Sequence, residues 1–163
     1  MSDDSLLGGH SGNAARRRRE AEKIVVRVGA WEQLGAAARR VRTAVFIEEQ
    51  GIPAALEMDA RDATATHAVA FDGKGVPLAT GRLLPNAHIG RMAVLAAHRG
   101  RGLGATILRT LLAMAHGQGM GAVRLHAQAS AIGFYLRAGF VTEGEPYQEA
   151  GIAHQTMVHA LRK

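Results

Sequence analysis

Apolar and polar positions along the chain fall into segments of two periods. Ile24-Val25-Val26-Arg27-Val28 reads as a short strand. After it, Leu34, Ala38, Val41 and Val45 recur at helical spacing as one apolar stripe, and Gly51 and Pro53 end that helix. Residues 54–66 read as a polar connection. His67–Phe71 forms a second strand, and Asp72-Gly73-Lys74-Gly75 carries turn chemistry into a third, Val76–Leu84. Pro77 lies near that strand's start, where a missing N–H is tolerated. Pro85-Asn86 turns the chain into a fourth strand, Ile89–Leu95. A glycine-rich turn then opens the clearest helix, striped by Leu103, Ile107, Leu108, Leu111, Leu112 and Ala115 and stopped by Gly117 and Gly119. Val123, Leu125 and Ala127 alternate with Arg124, His126 and Gln128, the period of a half-buried strand. Ala131–Arg137 is a short helix closed by Gly139, and two strands follow near Phe140–Thr142 and Ala153–Ala160. Strands first, then strands alternating with helices, predict an α/β (α+β) fold, a mixed sheet with helices on its faces.

Residues 1–23 stand outside this pattern. They are rich in Gly, Ser and Asn and end near Arg16-Arg17-Arg18-Arg19. Such a stretch buries too little apolar surface to offset its ordering entropy. It reads as a flexible basic N-terminal tail, with 24–163 as the folded domain. The arginine run could touch nucleic acid, but a solvated, partly helical lead-in is the simpler reading. No apolar run reaches the about 20 residues of a membrane span. Asp3 and Asp4 open a polar start unlike a secretory signal, so a soluble, cytoplasmic protein with no membrane partner is expected.

Composition narrows the chemistry. A chain of 163 residues that is 47% apolar is long enough for one domain with a real core, which excludes a wholly disordered protein. The absence of cysteine excludes a disulfide scaffold, a thiolate metal site and a cysteine nucleophile together. Eight histidines are present, but none forms a His-x-x-x-His pair with a Glu, so no metal is expected. Aromatics are 4%, too few for a base-stacking platform, and a nucleic-acid partner is not expected.

The net charge is +6, and its distribution says more than its size. No acid occurs from Gly73 to Thr142, where Lys74, Arg82, Arg91, Arg99, Arg101, Arg109, Arg124 and Arg137 stand. The tail holds five basic and four acidic residues and adds only +1. The acid-free block contains Arg99-Gly100-Arg101-Gly102-Leu103-Gly104-Ala105-Thr106 at a strand–helix junction. A helix N-terminus leaves N–H groups unpaired and carries partial positive charge, and glycines let the backbone approach a phosphate. The turn therefore reads as a pyrophosphate cradle, against the alternative of an ordinary glycine-requiring turn. It is not a Walker A loop, since no Lys-Ser/Thr follows the glycines. It fits a dinucleotide fingerprint poorly, because no acid follows about 20 residues on.

These residues resemble the GNAT superfamily of N-acetyltransferases. Arg99, Gly102 and Gly104 match its Arg/Gln-x-x-Gly-x-Gly/Ala motif. Ala131, Tyr135, Gly139 and Phe140 match the next signature, with Gln128 standing where the family has Asn. Val45-Phe46, Glu49-Gln50, Gly90-Arg91 and Tyr147-x-Glu149-x-Gly151-Ile152-x-His154 resemble the ElaA-like branch, from which Ala150 and Ala153 depart. The resemblance covers about residues 24–161. It implies a mixed, mostly antiparallel twisted sheet of six to seven strands with helices on both faces.

The resemblance also implies acetyl-CoA as cosubstrate. Its pyrophosphate would lie on the turn Arg99, Gly100, Arg101, Gly102, Leu103, Gly104 and Ala105. Its pantetheine arm would pair with Met92, Ala93 and Val94, beside Gln128 and Tyr135. Tyr135 corresponds to the family's frequent general acid, which protonates the departing thiolate. Two residues compete as general base: Glu49, an acid after the first helix, and His154, a histidine that suits proton transfer near neutrality. His126 reads as structural. No acyl-enzyme is suggested, so direct transfer to a primary amine of a small molecule or peptide is expected. A non-catalytic acyl-CoA-binding regulator is the alternative. A homodimer is compatible with the sequence.

Overall fold

The computed structural model describes residues 12–17 and 23–162. Residues 12–17 are helical, while residues 1–11 and 18–22 of the expected tail, Arg18 and Arg19 among them, lie outside the described residues. From there the order is β1 (Val25–Gly29), α1 (Trp31–Arg42), α2 (Ala54–Glu57), β2 (Thr66–Phe71), β3 (Pro77–Leu83) and β4 (Ile89–Val94). The second half runs α3 (Leu103–Gly117), β5 (Ala122–Gln128), α4 (Ile132–Arg137), β6 (Val141–Thr142), β7 (Tyr147–Glu149) and β8 (Ile152–Ala160). Among the described residues there are eight strands, against the six to seven expected. The additional strand is β7, three residues that pair with β8 through Tyr147 opposite His154.

β1-β2-β3-β4 form one antiparallel sheet, and β5, β8, β6 and β7 form a second in which β8 pairs with each of the other three. Helices cover both faces of the first sheet. Successive strand residues point to opposite faces. In β2, Val69 packs with Leu34 and Ala38 of α1, while Ala68 and Ala70 join Ile107, Leu108 and Leu111 of α3. The helical stripes read from the sequence are therefore the two core-facing surfaces.

Two segments differ from the expected pattern. α1 does not end in a regular turn but continues as a π-helix over Thr43–Glu49, which buries Val45 and Phe46 against Ala93 of β4. The polar connection 54–66 holds α2 and a 3-10 turn at Ala60–Ala63, and it buries Glu57 and Asp62. Among the described residues no helix is long and apolar enough to cross a membrane.

Gly81 marks the tightest approach of β3 to α3. A Cβ there would meet Met92 Sδ at 2.5 Å and Ile107 Cγ2 and Leu111 Cδ1 at 2.9 Å each. Gly81→Val is therefore expected to destabilise the fold by about 2–3 kcal/mol through overpacking. A shift of the urea midpoint at unchanged slope checks this, and an unshifted midpoint contradicts it.

Candidate active site

Among the described residues the two sheets are bridged at one end. Among the described residues a parallel bridge joins His88 to Arg124, where the Arg124 amide donates to the Ala87 carbonyl at 3.0 Å. Beyond it β4 and β5 belong to separate sheets, and a cleft of about 720 Å³ lies between them. β4 lines it with Ile89 to Met92, β5 with Leu125 to Gln128, and α4 with Tyr135. One flank comes from Gln50, Ile52 and the α2 segment, the other from Glu149, Ile152 and His154 around the β7–β8 turn.

β4 is irregular where it borders the cleft. Thr80 faces Ala93 and Arg82 faces Gly90, so two residues of β4, Arg91 and Met92, stand opposite Gly81. Such a bulge takes one residue out of the ladder and re-aims its neighbours. Arg91 adopts a φ of 51°, the left-handed region uncommon for a residue with a side chain.

The glycine turn lies at the other end of β4, where the strands have parted. Gly102 is the N-cap of α3 at φ 80°, ψ 10°, with no side chain capping the helix. Gly100 has φ 78°, and a Cβ at either glycine would meet nothing within 4 Å. The first N–H groups of a helix have no partner within it. Here those of Leu103, Gly104 and Ala105 stand beside an open approach, which is what an anionic pyrophosphate requires. Gly104 brings α3 close to β4 and α4: a Cβ there would lie 3.4 Å from Phe134 and 3.6 Å from Val94. Arg99 braces the turn. Its Nε donates to the Val94 carbonyl at 3.0 Å, and its two Nη atoms donate to the Glu49 carboxylate at 2.7 Å each. Arg101 donates to His98 Nδ1 at 3.1 Å.

That ion pair bears on Glu49. The hydrogen bond from Arg99 holds its carboxyl below the usual carboxylate range, and Glu49 is not among the residues lining the cleft. The structure thus joins Glu49 to the cradle rather than to the other base candidate. Met92, Gln128, Tyr135 and His154 do come together on the cleft. Ala93 turns away from it, packed on Val41, Val45 and Phe46.

Tyr135 is 7% exposed, its ring edge-on to Phe134 at 5.0 Å and to Phe140 at 5.7 Å. Burial pushes its phenol up to about 12, so it stays protonated throughout the physiological range. Gln128 forms a reciprocal amide pair with Gln50, donating at 2.9 Å and accepting at 3.4 Å, which ties the end of β5 to the end of the π-helix. The longer amide at this position is thereby used to span the cleft. His154 faces Gln128 in the β5–β8 register, and its Nδ1 lies 2.7 Å from the Ile152 carbonyl. A carbonyl only accepts, so Nδ1 carries the hydrogen and neutral His154 keeps its lone pair on Nε2. Glu149 stands 4.0 Å from that Nε2.

Several cleft residues escaped the sequence reading. His126 lines the cleft, with His88 at 5.7 Å and Tyr147 at 5.9 Å from its ring, and burial holds its pKa below the usual imidazole value. The β5 alternation correctly put His126 on the polar face, but that face looks into the cleft. The α2 flank is a charged wall. Arg42 donates to Glu57 and to both oxygens of Asp62, at 2.8 and 3.1 Å. Arg82 donates to both oxygens of Asp59 at 2.7 and 2.8 Å and to Asp62 at 2.9 Å. The guanidinium of Arg82 holds the Asp59 carboxyl down to about 2. The acids clustered at 57–62, set against the acid-free block that follows, are the signal in the sequence for this wall. Among the described residues no group of three or more His, Cys, Asp or Glu is placed to hold a metal ion.

Comparison with known proteins adds relatives to this geometry. The family described as an acetyltransferase (GNAT) domain matches residues 27–161. A Bacillus subtilis (strain 168) protein named as an acetyltransferase is 37% identical over 123 residues, 72% of this chain and 83% of that protein. The crystal structure of an acyl-CoA N-acyltransferase from Pseudomonas aeruginosa superposes with a TM-score of 0.76 at 32% identity, covering 85% of this chain and 100% of that one. Escherichia coli ElaA superposes with a TM-score of 0.74 at 28% identity, over 84% of this chain and 99% of its own.

Proposed function

This chain belongs to the GNAT acetyltransferase family and is an N-acetyltransferase; on that premise we propose that it transfers an acetyl group from acetyl-CoA directly to a primary amine of a small molecule or peptide. The observation that supports the reading is the arrangement along β4: a bulge at Arg91 and Met92 on the cleft, an uncapped glycine helix start beyond the strand's end, and Tyr135 among the residues lining the cleft.

Bound acetyl-CoA supplies a thioester as acyl donor and a thiolate as leaving group. The N–H groups of Leu103, Gly104 and Ala105 and the backbone of Gly100 to Gly102 hold its pyrophosphate. The edge of β4 at Met92 to Val94, free of β5, offers its backbone to the pantetheine arm. Tyr135 Oη donates a proton to the departing sulfur. His154 Nε2 takes the proton from the attacking amine, directly or through a water. Glu49 serves as the brace of Arg99 rather than as the base.

Two measurements test this. Initial rates with acetyl-CoA and amine varied together are expected to give intersecting lines, and parallel lines would contradict direct transfer. His154→Gln is expected to lower kcat/KM by about 10²-fold while acetyl-CoA affinity holds. A variant with wild-type kcat/KM excludes His154 as the base.

A further inference from the structure

The charged wall on the α2 flank is not balanced. Arg42, Arg82 and Arg91 pair with three carboxylates, those of Glu57, Asp59 and Asp62, and Arg61 adds a fourth cation on the same flank. The short contacts belong to Arg42 and Arg82, and they use both oxygens of Asp59 and of Asp62. Arg91 has longer contacts: 3.2 Å to the Glu57 carbonyl, 3.4 Å to the Leu56 carbonyl, 3.3 Å to Asp59 Oδ2 and 3.8 Å to the Glu57 carboxylate, with its Nη1 making no hydrogen bond among the described residues. Its backbone is held at φ 51° by the bulge, a strained placement of the kind found at binding sites. Burial and the neighbouring Arg82 both weigh against its charge, a situation that an added anion relieves. Arg61 is exposed and lines the same flank. The opposite flank has the reverse character, with His154 and the 62% exposed carboxylate of Glu149.

We propose that the α2 flank is a carboxylate subsite and that the acceptor is an amino carboxylate: Arg91 and Arg61 take its carboxylate while its amine faces His154. The placement of the amine rests on the acetyl-transfer reading above, whereas binding of the carboxylate is independent of turnover. Guanidinium groups with spare donors suit a carboxylate because its two oxygens accept a pair of parallel charge-assisted bonds.

The test uses alanine, β-alanine and 4-aminobutyrate as acceptors, each beside its amide and the amine lacking the carboxyl group. Butyrate and butyramide are titrated calorimetrically into the CoA-saturated protein in parallel. The carboxylate member of a series is expected to exceed its two analogues in kcat/KM by about tenfold or more. Arg91→Gln is expected to erase that preference, Arg91→Lys to restore part of it, and Arg61→Gln to reduce it. Because Arg61 is exposed, its variant tests the subsite even where Arg91→Gln does not fold. Turnover with no carboxylate preference, or with a preference that neither arginine alters, overturns the subsite and leaves the transferase intact. Arg91-dependent butyrate binding without turnover of any amine supports the subsite and overturns the transferase reading. Neither turnover nor butyrate binding overturns both.

Discussion

Tyr135→Phe is expected to lower kcat by about a hundredfold while acetyl-CoA affinity and thermal stability hold. The substitution removes one oxygen and leaves the ring between Phe134 and Phe140, so packing is preserved. What is lost is a proton donor at the cleft. Because burial keeps that phenol protonated up to about pH 12, the wild type is expected to show no loss of rate from Tyr135 ionisation below about pH 10. Single-turnover rates and calorimetric titration with acetyl-CoA separate the two quantities. An unchanged kcat removes Tyr135 from the acid role.

Gly102→Asp is expected to weaken CoA binding by about a hundredfold or more, with the fold retained. Aspartate tolerates the left-handed backbone better than most residues, and it is a favoured helix N-cap. Its carboxylate would place a negative charge at the pyrophosphate position, at some cost in backbone strain at φ 80°. Calorimetry with CoA reads the loss, and circular dichroism checks that the variant folds. A folded Gly102→Asp protein that binds CoA normally contradicts the cradle.

The sequence was most legible where one element's own period or turn chemistry decides the outcome. The stripe from Leu103 to Ala115, the β5 alternation and the glycine start of α3 all depend on neighbours within one element, and all three are in the structure. β7 was not legible, since three residues carry no period and its existence depends on β8. Glu49 shows the same limit in chemistry. Its ion-pair partner is Arg99, 50 positions away in the chain, which no local pattern reports. The acid-free block was legible as a charge but not as a set of partners. Arg82, Arg91, Arg99 and Arg124 pair with acids from outside it, namely Glu49, Glu57, Asp59, Asp62 and Glu143, so half of its eight cations have acidic partners within the fold. On the proposed reading, anion binding at the turn therefore rests chiefly on backbone N–H groups rather than on those side chains.

The central claim, acetyl transfer from CoA to an amine without an acyl-enzyme, is tested most directly by mole balance. Protein is incubated with acetyl-CoA and a panel of amines, amino acids, polyamines and peptides. Released CoA, N-acetylated product and intact protein mass are measured together. The account predicts one N-acetyl product per CoA released and an unmodified protein. CoA binding with no N-acetylated product from any amine, or acetyl groups accumulating on the protein, would contradict it.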